Sequence, residues 1–164
     1  MNTKPNLVAQ YQTLVIIWAA LLMSQFMFIL IIFITKRELF NFDFSQPLMG
    51  QSSPMILGFG VAAVTCVIFS FAFKKRFFER AVHEQDTALI QSGFIIACAL
   101  CEASSLFGLA LAFAFDYQYF FLWSALGIIG TLLHFPRQND LLAAGYKKSV
   151  PSAVTGGESH NLEQ

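Results

Sequence analysis

The sequence predicts an all-α membrane protein with four transmembrane helices in an antiparallel bundle. Three observations predict it. Hydrophobic residues make up 56% of the chain and charged residues 12%, whereas an ordinary soluble domain is about a quarter charged. The apolar residues gather into four runs, Leu14–Thr35, Met55–Phe73, Ala88–Phe115 and Phe120–Phe135. The third run is about 42 Å long as a helix, more than the ~30 Å hydrocarbon core needs, and it holds one acid, Glu102, almost at its centre.

The first run follows a short polar lead and ends at Lys36-Arg37-Glu38. It is far longer than the h-region of a signal peptide, so it is read as a retained helix. Turn-forming Asn41, Asp43, Pro47 and Gly50 make the first loop, in which Phe40, Phe42 and Phe44 alternate with polar residues as interfacial anchors. Pro54 opens the second span, a position proline tolerates. The charged segment 74–87 is expected to continue the helices beyond the membrane surface. Asp116–Tyr119 is short enough to make spans three and four antiparallel neighbours. Tyr117, Tyr119 and Trp123 read as an interfacial aromatic belt. Residues 1–146 form the membrane domain and 147–164, rich in Ser, Gly and polar groups, a disordered tail.

Basic residues set the orientation. Lys4, Lys74, Lys75, Arg76, Arg80, Arg137, Lys147 and Lys148 fall on the side of both termini; only Lys36 and Arg37 fall on the other. The positive-inside rule then places both termini in the cytoplasm of a multi-pass protein of the cytoplasmic (inner) membrane. A formal net charge of zero offers no bulk basic field, so nucleic acid is not an expected partner.

The centres of the four spans are polar at about one depth: Ser24 and Gln25, Thr65 and Cys66, Glu102, then Ser124 and Gly127. Bilayer interiors leave such groups unsatisfied unless protein partners meet them, so they are expected to converge inside the bundle. On span three, Gln91, Ile95, Cys98, Glu102, Ser105 and Leu109 share one face by their spacing, and Ile96, Leu100, Phe107 and Leu111 make the opposite, lipid-suited face. Ser124, Gly127 and Thr131 form a small-residue stripe for close helix contact, which points to further association as a homo-oligomer or with other membrane subunits.

Glu102 admits two readings. In one it is neutral, hydrogen-bonded to Gln25 or a hydroxyl, and fixes the register of the bundle. In the other it binds and releases a proton or sodium ion, with Gln25, Thr65 and Ser105 as the groups able to meet it. Lys74, Lys75, Arg76 and Arg80, beside Phe77 and Phe78, are candidates for anionic lipid headgroups as well as the topology signal. Cys98-Ala-Leu-Cys101 is read as packing rather than as half a metal site, because zinc wants about four ligands and no histidine lies at that depth. His134 is read as an interfacial residue near Arg137 and Asp140, and without a second intramembrane histidine haem is not expected. No Walker loop, dinucleotide fingerprint or nucleophile elbow occurs, so neither an enzyme nor a metal or cofactor is expected.

Around Glu102 the sequence Ala99-Leu100-Cys101-Glu102-Ala103, followed by Phe107-Gly108-Leu109 and Ala112, resembles the carboxyl-bearing helix of the rotary ATPase c subunit, the proteolipid. The resemblance covers that helix and implies that Glu102 is an ion-carrying carboxyl with Gln91 or Ser105 near it. Span two departs from the proteolipid pattern, replacing its glycine repeat with Val67, Ile68, Phe69, Phe71 and Phe73. Over its whole length the chain resembles small, uncharacterised four-span bacterial membrane proteins with a similar glutamate helix and a closing His134-Phe-Pro-Arg137. The resulting expectation is a non-enzymatic integral membrane protein, a subunit or accessory of a larger complex, with a buried polar centre around Glu102. The alternative is a proteolipid-like proton or sodium carrier using that glutamate.

Overall fold

The computed structural model describes residues 7–41 and 53–145. These form α1 (Leu7–Thr35), α2 (Ser53–Glu84), α3 (Thr87–Phe115), α4 (Phe120–Leu133) and α5 (Gln138–Gly145), with one turn of 3-10 helix at Arg37–Phe40. Helices α1, α2 and α3 are long and apolar enough to cross a membrane, and α4 is a shorter apolar helix. This all-α architecture fits an integral membrane protein. The expected tail, 147–164, and positions Phe42 and Phe44 of the first loop lie outside the described residues.

The helices overrun the apolar runs wherever polar residues can satisfy themselves. Helix α1 begins nearly two turns before Leu14, and Thr13 in that lead donates to the Ala9 carbonyl at 2.9 Å. Helix α2 continues through the charged segment, where Arg80 and Glu84 pair one turn apart at 2.7 Å. Gln85, in the left-handed region at φ 55°, breaks the helix, and Asp86 restarts it by accepting from the Ala88 N–H at 2.9 Å. At the far end of α3, Asp116 takes a left-handed φ of 49° and its side chain pairs with Lys36 at the end of α1. Aspartate tolerates that conformation better than most residues.

Helix α3 is the axis of the bundle and packs against α1, α2 and α4. Helix α1 runs parallel to it, with Ser24 level with Glu102 and Lys36 level with Asp116. Helices α2 and α4 run antiparallel to it: Phe77 lies on Gly93 and Phe59 on Phe107, while Phe120 lies on Gly108 and Gly127 on Cys101. Lipid tails are as apolar as the side chains, so close packing of small residues carries helix association. A Cβ on Gly127 would run into the Ser105 hydroxyl and come within 2.6 Å of the Cys101 carbonyl; one on Gly108 would lie 2.8 Å from the Phe120 carbonyl. The stripe expected to recruit neighbouring chains is therefore occupied within this one.

Three neighbours cover a broad part of α3, while Ile95, Ile96, Leu106 and Phe113 stay exposed. Leu111, expected to face lipid, is fully buried beside Ile56, Tyr117 and Tyr119, and Phe107 packs on Phe59 with ring centroids 5.6 Å apart. Tyr117 and Tyr119 are themselves buried, so they do not form an exposed belt. Along the bundle axis, apolar clusters close both ends: Leu14, Ala81, Ile90, Phe94 and Leu141 at one, Ile32, Leu39, Ala112 and Phe120 at the other. Polar groups occupy the middle.

Candidate functional site: a polar core with a carboxyl on its rim

Gln25, fully buried on α1, organises the middle of the bundle. Its amide nitrogen donates to Thr131 Oγ1 on α4 at 2.6 Å, and its carbonyl accepts from Ser105 Oγ on α3 at 3.1 Å. Thr131 passes its own proton to the Gly127 carbonyl at 3.1 Å, and its backbone carbonyl accepts from Trp18 Nε1 at 2.8 Å. Ser105 also lies 3.3 Å from the Ser124 carbonyl, and Ser104 donates to the Trp123 carbonyl at 3.2 Å. A glutamine serves here because it both donates and accepts, tying two helices to a third in a medium without water.

Ser70 of α2 joins the edge of this network. Its hydroxyl donates to the Val67 carbonyl at 2.6 Å and accepts from Cys101 Sγ at 3.4 Å. Cys98 and Cys101 are both buried free thiols with different surroundings: Cys98 sits in the apolar cluster with Leu14 and Phe94, and Cys101 lies against Ser70 and Gly130. Among the described residues no three His, Cys, Asp or Glu side chains gather where they could hold a metal ion.

Glu102 is not the centre of this core. One residue is 100° of helix, so while Cys101 and Ser105 face α4, Glu102 turns toward the rim of the α1–α3 seam. It is partly exposed there and accepts a hydrogen bond from Ser24 Oγ. Gln25 and Ser105, the groups expected to meet the carboxyl, bond each other instead. Gln91, three turns away on α3, is too distant to join them. Thr65 stands apart as well: it is at the expected depth but is exposed on the outer side of α2, where it lines an apolar groove of about 470 Å³ with Gly60, Leu122 and Trp123. Depth along a helix is legible from a sequence; the angle around it depends on which face of α2 the neighbours use.

The basic cluster also divides. Lys75, Arg76 and Arg80 are exposed, with Lys75 3.9 Å from Glu79 and Arg80 paired with Glu84, whereas Lys74 is half-buried. His134 is fully buried, edge-on to Phe71 with centroids 4.4 Å apart, so at the end of α4 it turns into the bundle. Burial of Ser70, Ser104 and His134 was not evident from the sequence. Ser70 and His134 lie away from mid-span, and Ser104 is adjacent in sequence to the more conspicuous Ser105.

Comparison with family models, curated proteins and solved structures returned no match.

Proposed function

We propose that this chain is a non-enzymatic, four-span protein of the cytoplasmic (inner) membrane, with both termini inside, that works as a subunit or accessory of a larger membrane complex. The observation that supports this reading best is the state of Glu102. The polar core beside it closes without it, through Gln25, Thr131 and Ser105. The carboxyl is left on the rim of the α1–α3 seam, partly exposed, with Ser24 as its hydrogen-bond donor. A carboxyl at mid-depth is costly against lipid, and polar residues there are usually covered or functional. A helix from a second copy or another membrane subunit, laid along the seam, covers Glu102 and supplies the donor its remaining lone pairs lack.

The same exposure favours one other reading, in which Glu102 carries a proton or sodium ion to and from a partner, as the proteolipid resemblance implies. Both are tested on reconstituted protein by measuring copy number and slow labelling with a hydrophobic carbodiimide, for wild type, Glu102→Gln and Glu102→Leu. Assembly through the seam predicts that leucine, which cannot hydrogen-bond, lowers the copy number or releases the partner while glutamine preserves both. Ion carriage predicts labelling of wild type, protection by sodium or high pH, and normal assembly of the glutamine variant with a defect that tracks the ion gradient. Wild-type assembly of both variants together with an unlabelled carboxyl overturns both readings.

A further inference from the structure

The inward register of α2 carries a lysine. Ser70, Lys74, Phe77 and Ala81 follow one another at steps of four and three, the spacing of a single helix face, and Ser70 and Ala81 are fully buried. Lys74 therefore points toward the bundle just where the apolar stretch ending at Phe73 gives way to charge. There it lines a notch of about 20 Å³ with Arg137, Asp140 and the apolar side chains of Leu14, Phe78 and Phe94. Pro136, buried between α4 and α5, turns the chain so that Arg137 comes to the same notch.

The charges around this notch do not balance. Among the described residues neither Lys74 nor Arg137 has an ion pair within 4.0 Å, although Lys75 and Arg80 nearby each have one. Asp140 is the carboxylate that lines the notch, and it lies within electrostatic reach of Lys74. Behind the lysine, fully buried His134 makes no well-aligned hydrogen bond from either ring nitrogen, although the carbonyls of Ser70 and Gly130 lie close to the ring. Two cations thus face one carboxylate at the boundary between apolar and charged helix. A half-buried ammonium without a partner is expensive, and the missing partner is an anion.

We propose that Lys74 and Arg137 bind a phosphate group at this notch, carried either on the headgroup of an anionic lipid or on a soluble phosphate. The guanidinium presents a fork to two phosphate oxygens, and the ammonium acts as a point charge on a third. The notch has room for one oxygen or one water, so the phosphate sits at its mouth. Phe78, Phe94 and Leu14 form the apolar wall on which the glycerol and acyl carbons of a lipid would lie.

The test uses the full chain in a neutral detergent and follows its thermal midpoint against four probes: short-chain phosphatidylglycerol, short-chain phosphatidylcholine, diacylglycerol of the same chains, and inorganic phosphate. Phosphatidylglycerol is expected to raise the midpoint at lower concentration than phosphatidylcholine, whose choline meets the two cations. Lys74→Gln and Arg137→Gln should each weaken its half-saturation about fivefold, the effect of one basic residue near an anionic surface. Lys75→Gln and Arg76→Gln should leave it unchanged. Inorganic phosphate acting as well as phosphatidylglycerol assigns the site to a soluble phosphate; phosphatidylglycerol acting alone assigns it to lipid. Equal stabilisation by diacylglycerol, equal loss in the Lys75 or Arg76 variants, or no stabilisation by any probe overturns the proposal. If Lys74→Gln does not fold, Arg137→Gln decides, because Arg137 is exposed.

Discussion

Gln25 and Thr131, far apart in the chain, share a 2.6 Å hydrogen bond, and both side chains are wholly buried. The bond joins the first long helix to the fourth through a middle layer where no water competes. The amide oxygen of the same glutamine takes the Ser105 proton, so one side chain ties three helices together.

That arrangement makes Gln25 a costly residue to remove. Gln25→Leu leaves Ser105 and Thr131 each short of a partner and should destabilise the bundle by about 1–2 kcal/mol, the upper range for hydrogen bonds between membrane helices. Thr131→Val should cost less, and the double variant should cost less than the sum of the two. Reversible unfolding in mixed micelles measures all three; strict additivity would mean the bond contributes nothing.

Two glycines give opposite forecasts. Alanine at Gly127 would drive a methyl into the Ser105 hydroxyl and the Cys101 carbonyl, so α4 must move away from α3. Gly127→Ala should lower stability by about 1–3 kcal/mol, the cost of overpacking. Nothing lies within 4 Å of a Cβ on Gly58, so Gly58→Ala should be neutral or gain up to about 1 kcal/mol of helix propensity. Thermal midpoints of the two variants, read side by side, check this.

Trp18 offers a bond that can be removed without altering the packing much. Its Nε1 donates to the Thr131 carbonyl at 2.8 Å, and its ring meets Phe135 edge-on with centroids 5.0 Å apart. Trp18→Phe keeps an aromatic ring and loses the donor. A loss of about 0.5–1.5 kcal/mol is expected in the same unfolding measurement.

Tyr117, in the turn between α3 and α4, titrates late. Burial pushes its phenol above the ordinary value of 10.0, and the neighbouring Tyr119 adds to the shift. Because the folded state holds the proton longer than the unfolded chain, the contribution of Tyr117 to stability is complete below pH 10 and declines as the pH rises through the folded value. The difference between wild-type and Tyr117→Phe absorbance titrations at 295 nm should be centred above pH 10. A difference curve centred at or below 10 would contradict the burial.

Much of this was legible in the sequence, and the rest was hidden for one geometric reason. Long apolar runs have few alternatives, so the sequence places the helices, with α1 beginning nearly two turns before Leu14 and α2 running on through the charged segment to Glu84. Depth was legible too: Gln25, Ser105, Ser124 and Gly127 do meet at mid-bundle. Azimuth was not. In a soluble helix the polar face marks the outside, but in lipid both faces are apolar, so nothing local told Thr65 to point outward or Leu111 inward. Glu102 was the most conspicuous residue, and conspicuousness drew the centre of the site one residue away from Cys101, which actually faces α4. Lys74 was read with Lys75 and Arg76 as one basic group; only the inward register of α2 separates it from them.

Helix α4 is 14 residues long, between partners of 29 and 32. That is about 21 Å of rise against a hydrocarbon layer of ~30 Å. Its outward residues, Leu122, Ile129 and Leu133, are exposed, so the apolar belt around the protein is low on this flank and tall beside α1 and α2. With α4 as the fourth span of the proposed topology, lipid would thin there or the whole bundle would lean toward its short side, at a fraction of a kcal/mol for each ångström of mismatch. The proposed four-span topology thus gives the molecule a front and a back within the plane of the bilayer, and predicts that it settles in thinner membranes in preference to thicker ones.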